Sequence, residues 1–149
     1  MIEKILQILE TNSRTSIEDI ARQIGATPGE VKEEIKKAEE KRIILKYKAI
    51  VDWSKLGKGK DQVMALVEIK AAPRDNKNFD DIAASIYKFK QVRSVYLASG
   101  TYDLAVIVTG DTMHDVAVFV SEKLALISPI QATVTHFILK KYKEDGEVL

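Results

Sequence analysis

The six residues from Gly25 to Glu30, Gly-Ala-Thr-Pro-Gly-Glu, leave this chain little freedom about what it folds into. Gly25 can adopt the left-handed backbone that ends a helix and that other residues resist. Thr27 is placed to cap a following helix, Pro28 suits its first turn, and Glu30 completes a Thr-x-x-Glu capping box. One helix therefore stops and another starts within three residues. Apolar residues at helical spacing flank the break: Ile17, Ile20, Ala21 and Ile24 before it, Val31, Ile35 and Ala38 after it. A helix, a tight turn and a second helix is the helix-turn-helix, a unit that reads DNA in many proteins.

The same spacing predicts an earlier helix over residues 2–11, with Ile2, Ile5, Leu6 and Leu9 on one face and Asn12-Ser13 ending it. The second helix follows a cap at Ser16, and the third runs from Thr27 to about Lys41. Ile43–Leu45 and Tyr47–Val51 read as two short strands, which after a helix-turn-helix form a wing. Residues 1–52 are thus expected to be a winged helix-turn-helix domain. Residues 53–61 follow as a hinge rich in glycine and lysine, with Trp53 and Leu56 pinning it to a domain. Gly57-Lys58-Gly59-Lys60 is no phosphate loop: it lacks the Gly-x-x-x-x-Gly-Lys-Ser/Thr spacing, and no strand leads into it.

From residue 62 the period changes. Val63, Ala65, Val67 and Ile69 alternate as in a strand over 62–71. A helix over 78–90 turns Phe79, Ile82, Ala83, Ile86 and Phe89 to one side. Strands over 92–98 and 102–109 flank a Ser99-Gly100-Thr101 turn. A helix over 112–127 and a strand over 130–141 complete the order strand, helix, strand, strand, helix, strand. That order predicts an α+β chain whose residues 62–149 form a ferredoxin-like βαββαβ domain, a four-stranded antiparallel sheet with two helices on one face. The other face, with Met64, Leu66, Ala105 and Ile107, needs a cover, and a second copy of the chain is the simplest one.

Charge is unevenly spread. The chain of 149 residues carries a net charge of +1, yet residues 41–60 hold seven basic side chains against the single acid Asp52. Beside a helix-turn-helix, such a segment can meet DNA phosphates. Arg14, Arg42, Lys46 and Lys48 are the candidate phosphate contacts, and Thr27, Pro28, Gly29, Lys32, Lys36 and Lys37 the candidates on the third helix. The outward face of that helix is charge-balanced, because Glu33 and Glu40 stand four places from Lys37 and Lys36 and can pair with them. A glutamate there repels phosphate, although it can accept from cytosine N4.

Other chemistry is excluded or weakly supported. With no cysteine there are no disulfides and no thiolate metal sites. The two histidines, His114 and His136, stand 22 residues apart with no ligand spacing around them, so neither a metal nor another cofactor is expected. No nucleophile and base form a recognisable set, which points away from an enzyme. The longest apolar runs are only a few residues and the N-terminus is amphipathic, so the chain is expected in the cytoplasm, with no membrane partner.

Ala26–Val31, Glu39–Ile44, Tyr47–Asp52 with Leu56-Gly57, the Gly-x-x-Asp turn Gly100–Asp103, and Ile130, Thr133 and Thr135 on the last strand occur in this order along nearly the whole chain. The arrangement resembles the Lrp/AsnC family of feast/famine regulators, with one departure: Arg42 stands where the family usually has glycine. The resemblance implies a transcription regulator that binds double-stranded DNA through its first domain and assembles through its second, a RAM/AsnC-type sandwich. The assemblies are dimers and often octamers of four dimers, and they respond to small effectors, typically amino acids. It also implies an effector site at Gly100, Thr101, Tyr102, Asp103, Thr133 and Thr135. In it Asp103 would accept from the ligand ammonium, amides near Gly100 would meet its carboxylate, and Tyr102 would wall the pocket. Two other readings stand beside this one. The first is an effector-binding oligomer whose DNA domain has degenerated. The second is an enzyme, because some proteins of this two-domain kind are sirohaem decarboxylases.

Overall fold

The computed structural model describes residues 1–57 and 62–149 and divides the chain into two compact units, Met1–Val51 and Asp52–Leu149. The stretch 58–61, to which most of the Gly57–Lys60 run and the end of the expected hinge belong, lies outside the described residues.

The first unit is three helices, α1 (Ile2–Thr11), α2 (Ile17–Ile24) and α3 (Pro28–Glu40). Local chemistry sets their ends. Ser16 Oγ accepts from the Asp19 amide, and Gly25 closes α2 at φ +71°. Thr27 and Glu30 form the expected reciprocal capping box. Ile5, Leu9, Ile20, Ala21 and Val31 form the buried core, with Ile17, Ile24, Ile35 and Ile44 packed against it. A cap is worth about 1 kcal/mol, whereas burying one such isoleucine or valine is worth roughly 2 kcal/mol. Packing therefore holds the bundle together, and the caps decide where each helix begins.

The expected wing is absent. Ile43–Leu45 and Tyr47–Val51 form no strand. Only Lys46 separates the two segments, with no Asn-Gly or Gly-containing loop to reverse the chain, so they cannot pair as a hairpin. Trp53 and Leu56 do not pin the linker either, because both are exposed. The segment Trp53–Leu56 is instead a single 3-10 turn, capped at its start by Asp52 and closed by Gly57 at φ +70°.

The second unit is a four-stranded antiparallel sheet of β1 (Val63–Ala71), β2 (Val92–Leu97), β3 (Leu104–Gly110) and β4 (Ile130–Phe137), in the order β2-β3-β1-β4. Helix α4 (Phe79–Tyr87) joins β1 to β2. Helix α5 (Met113–Phe119), continued by a π-type turn over Val120–Leu124, joins β3 to β4. Ala65, Val67 and Ile69 of β1 and Leu104, Val106 and Val108 of β3 are buried with Ile82, Ile86, Val116 and Leu124 of the helical segments. This is the expected βαββαβ sandwich.

Strand β4 ends at Phe137, short of the expected Lys141. Phe137 pairs with Ala65 and the Ile138 amide reaches Met64, so β4 ends alongside the start of β1 at Val63. A small hairpin follows instead, β5 (Lys143–Glu144) with β6 (Glu147–Val148). Its turn is Asp145-Gly146, both at positive φ, a strong short-range hairpin signal.

Candidate functional site

On α3 several candidate contacts are already engaged within the helix. Thr27 Oγ1 donates to Glu30 at 2.7 Å and accepts from its amide. The Thr27 amide, which donates to the same carboxylate at 2.9 Å, and then the Thr27 hydroxyl hold the Glu30 carboxyl below its ordinary range. The expected Glu33–Lys37 pair does not form. Lys37 Nζ lies 3.0 Å from Glu34, which is partly sheltered against the bundle, and that contact raises the Lys37 pKa. The Lys36–Glu40 pair forms loosely, at 3.9 Å. Lys32 and Gly29 are exposed, as is Pro28, and a Cβ at Gly29 would meet nothing within 4 Å.

The basic segment leaves α3 through Arg42, whose φ is +55°. The Arg42 amide donates to Glu39 and the Ile43 amide to Ala38, at 2.9 and 2.8 Å. This is a Schellman ending with arginine in the left-handed position that favours glycine. Tyr47 Oη then donates to Glu39 at 2.8 Å. Partial burial, with that bond to a carboxylate, pushes the Tyr47 phenol up to about 12. This tether anchors the segment carrying Lys46 and Lys48. Nothing in the sequence signalled it, since the two residues stand eight apart across an irregular break. Arg14 is exposed in the α1–α2 turn.

In the second unit the Gly100–Asp103 turn caps the β2–β3 hairpin, with Gly100 at φ +143°. Asp103 binds its surroundings three times. Its carbonyl accepts from Ala98, its amide donates to Ile69, and its carboxylate accepts from the Ala71 amide, each at 2.9 Å. Lys70 Nζ reaches the Thr101 carbonyl at 3.4 Å. Tyr102 is half-buried.

Thr133 and Thr135 lie on the other side of β1, paired with Ile69 and Val67 and so on the helix-facing side of β4. With β1 between them, the turn and the threonines stand about 10 Å apart, two strand spacings. The expected site is thus two clusters flanking one strand. A cleft of about 650 Å³ lies at the opposite end of the sheet, lined in part by Lys90, Thr109, Asp111, His114 and Lys123; it includes none of these residues. His136 lies 3.5 Å from Glu68 on the open sheet face. Among the described residues no three His, Asp or Glu side chains are grouped to hold a metal.

A capped helix-turn-helix in one unit and a split βαββαβ sheet in the other define a class, the two-domain regulator that couples a DNA reader to a ligand-binding sheet. Comparison with known proteins narrows it. The AsnC-type helix-turn-helix domain model matches residues 1–39, and the Lrp/AsnC ligand binding domain model matches residues 64–148. The uncharacterised HTH-type transcriptional regulator YugG of Bacillus subtilis is 47% identical over 145 residues, covering 97% of this chain and 87% of its own. The structure of LrpC from B. subtilis superposes with a TM-score of 0.63 at 25% identity, covering 95% of this chain and 94% of that one. A transcriptional regulator of Neisseria meningitidis, solved as a complex with L-Met, superposes with a TM-score of 0.70 at 24% identity, covering 96% and 90%. This chain belongs to the Lrp/AsnC family of transcriptional regulators.

Proposed function

We propose that the chain binds promoter DNA as a homo-oligomer in the cytoplasm and that a small effector, an amino acid, modulates that binding. The observation that carries the oligomer is the sheet face turned away from α4 and α5. Leu66 stands directly opposite Ile107 there, with Met64 and Ala105 on the same face and Tyr96 exposed beside Ala105. A second copy is the simplest cover for this face, because a two-fold axis brings the same apolar patch of each copy together. Dimers built this way can assemble further, to octamers.

On the DNA side, Arg14, Arg42, Lys46 and Lys48 meet phosphates, and the first turns of α3 enter the major groove with Thr27, Pro28, Gly29, Lys32, Lys36 and Lys37. On the effector side, the Gly100–Asp103 turn with Tyr102, and Thr133 and Thr135, bind the ligand. The match to the ligand binding domain model supports a small ligand, and the L-Met carried by the meningococcal protein of the same fold supports an amino acid. The role is regulatory rather than catalytic, as the name of the similar regulator YugG suggests.

Two measurements on the intact chain test this reading. Light scattering should give a dimer or a multiple of it, and Leu66→Glu should shift it to monomer. Melting curves with each of the common amino acids in excess should show a raised melting temperature for at least one. A monomeric wild type overturns the assembly, and a flat screen overturns the amino-acid effector.

A further inference from the structure

Helix α3 carries five glutamates, and the structure accounts for four. Glu30 is held in the capping box, Glu34 holds Lys37, Glu39 accepts from Tyr47, and Glu40 faces Lys36. Glu33 alone has no hydrogen bond and no ion pair within 4 Å among the described residues, and it is exposed; its charge acts on Lys37 only from beyond that distance. Its place on the helix is specific. At about 100° per residue it lies almost diametrically opposite the inward row Val31, Ile35 and Ala38. One turn before it stands Gly29, with open space where a side chain would be. The first turns of a recognition helix are the ones that reach base edges. In this stretch the side chain aimed most directly away from the bundle is a carboxylate.

A carboxylate carried into the groove loses water and lies among phosphates, which is unfavourable unless a donor meets it. Cytosine N4 is the major-groove donor that suits a glutamate, and the guanine paired with it offers O6 and N7 to a lysine. Lys32, adjacent and without an ion pair among the described residues, can supply that lysine. We infer that Glu33 is a specificity-determining residue that accepts from the N4 amino group of a cytosine, so that each operator half-site carries a C·G pair under it. Balanced charge on α3 is then a reading device rather than a loss of DNA binding. The inference rests on the DNA-binding reading above.

Its test is selection of duplexes from a library randomised across the half-site, using full-length wild type, Glu33→Gln and Glu33→Ala. Wild type should enrich one C·G pair per half-site. Glu33→Gln should move that position toward A·T, since glutamine suits adenine N6 and N7. Glu33→Ala should lose about tenfold of the preference at that position only, a loss typical of one base contact. A wild-type consensus with no fixed C·G pair, or variants that select the same sequence as wild type, overturns the inference while leaving DNA binding intact. A wild type that enriches nothing overturns both.

Discussion

The carboxylate of Asp103 accepts a hydrogen bond from the Ala71 amide at 2.9 Å, joining the entry of β3 to the exit of β1. The residue expected to hold an effector ammonium is therefore also a structural acceptor. Asp103→Ala should cost about 1–2 kcal/mol by leaving that partly buried amide unsatisfied. Asp103→Asn keeps an acceptor oxygen and should lose much less stability, while removing the charge an ammonium needs. Urea unfolding of the two variants, with effector titration of the second, separates the roles. Equal destabilisation by both would show that the acceptor is not what holds the turn.

Arg42 completes the α3 ending in a conformation that a side chain resists by roughly 1–2 kcal/mol. Arg42→Gly relieves that strain but gives glycine's extra freedom to the unfolded chain, so the net gain should be up to about 1 kcal/mol. The same change should weaken duplex binding and reduce the slope of log affinity on log salt by roughly 1 per protomer. A variant that is more stable yet binds with unchanged salt dependence would remove Arg42 from the interface.

Tyr47 gives the first unit an alkaline signature. Its phenol is raised in the folded chain, to about 12, against about 10 when unfolded. The stability it contributes is thus fully present below about pH 10 and is lost as pH rises through its folded value. Ultraviolet titration of the five tyrosines should show one ionising last, and Tyr47→Phe should abolish that step. If the late step survives in Tyr47→Phe, the bond to Glu39 is not its cause.

The acid side has the opposite sign. Amide and hydroxyl bonds from Thr27 lower the Glu30 pKa, and bonds from Ser54, with Lys55 nearby, lower that of Asp52. Their contributions are present above the ordinary carboxylate range and are lost as pH falls through the lowered values. Glu30→Gln should melt earlier than wild type at neutral pH, and the difference should shrink in acid. A difference that does not change with pH would mean that the capping box works equally well uncharged.

What could be read from the sequence was what neighbours along the chain decide. Ser16, Gly25, Thr27 and Glu30 act within a turn of themselves, and alternation in β1 needs no partner to be visible. The wing failed because its strands had residues of the right type but no turn to join them. The Asp145-Gly146 turn carries a plain hairpin signal, but it lies beyond the strand expected over 130–141, in a stretch for which the sequence reading names no element. Lys37 had acceptors at both three and four places, and only packing of the helix against the bundle chose Glu34. The residues expected to hold an effector stand in the sequence as types, without their placement relative to one another. Whether Asp103 and Thr133 meet depends on the order of β3, β1 and β4, a long-range pairing that no local pattern encodes.

Binding of DNA through α3 and the basic residues around it carries an electrostatic signature that can be measured. Fluorescence anisotropy of a duplex from upstream of its own gene, titrated with protein over a range of salt concentrations, tests it most directly. With Arg14, Arg42, Lys46 and Lys48 from two copies each meeting a phosphate, log affinity should fall with log salt at a slope of about −7. Absence of binding at low salt, or binding that salt does not weaken, would contradict it.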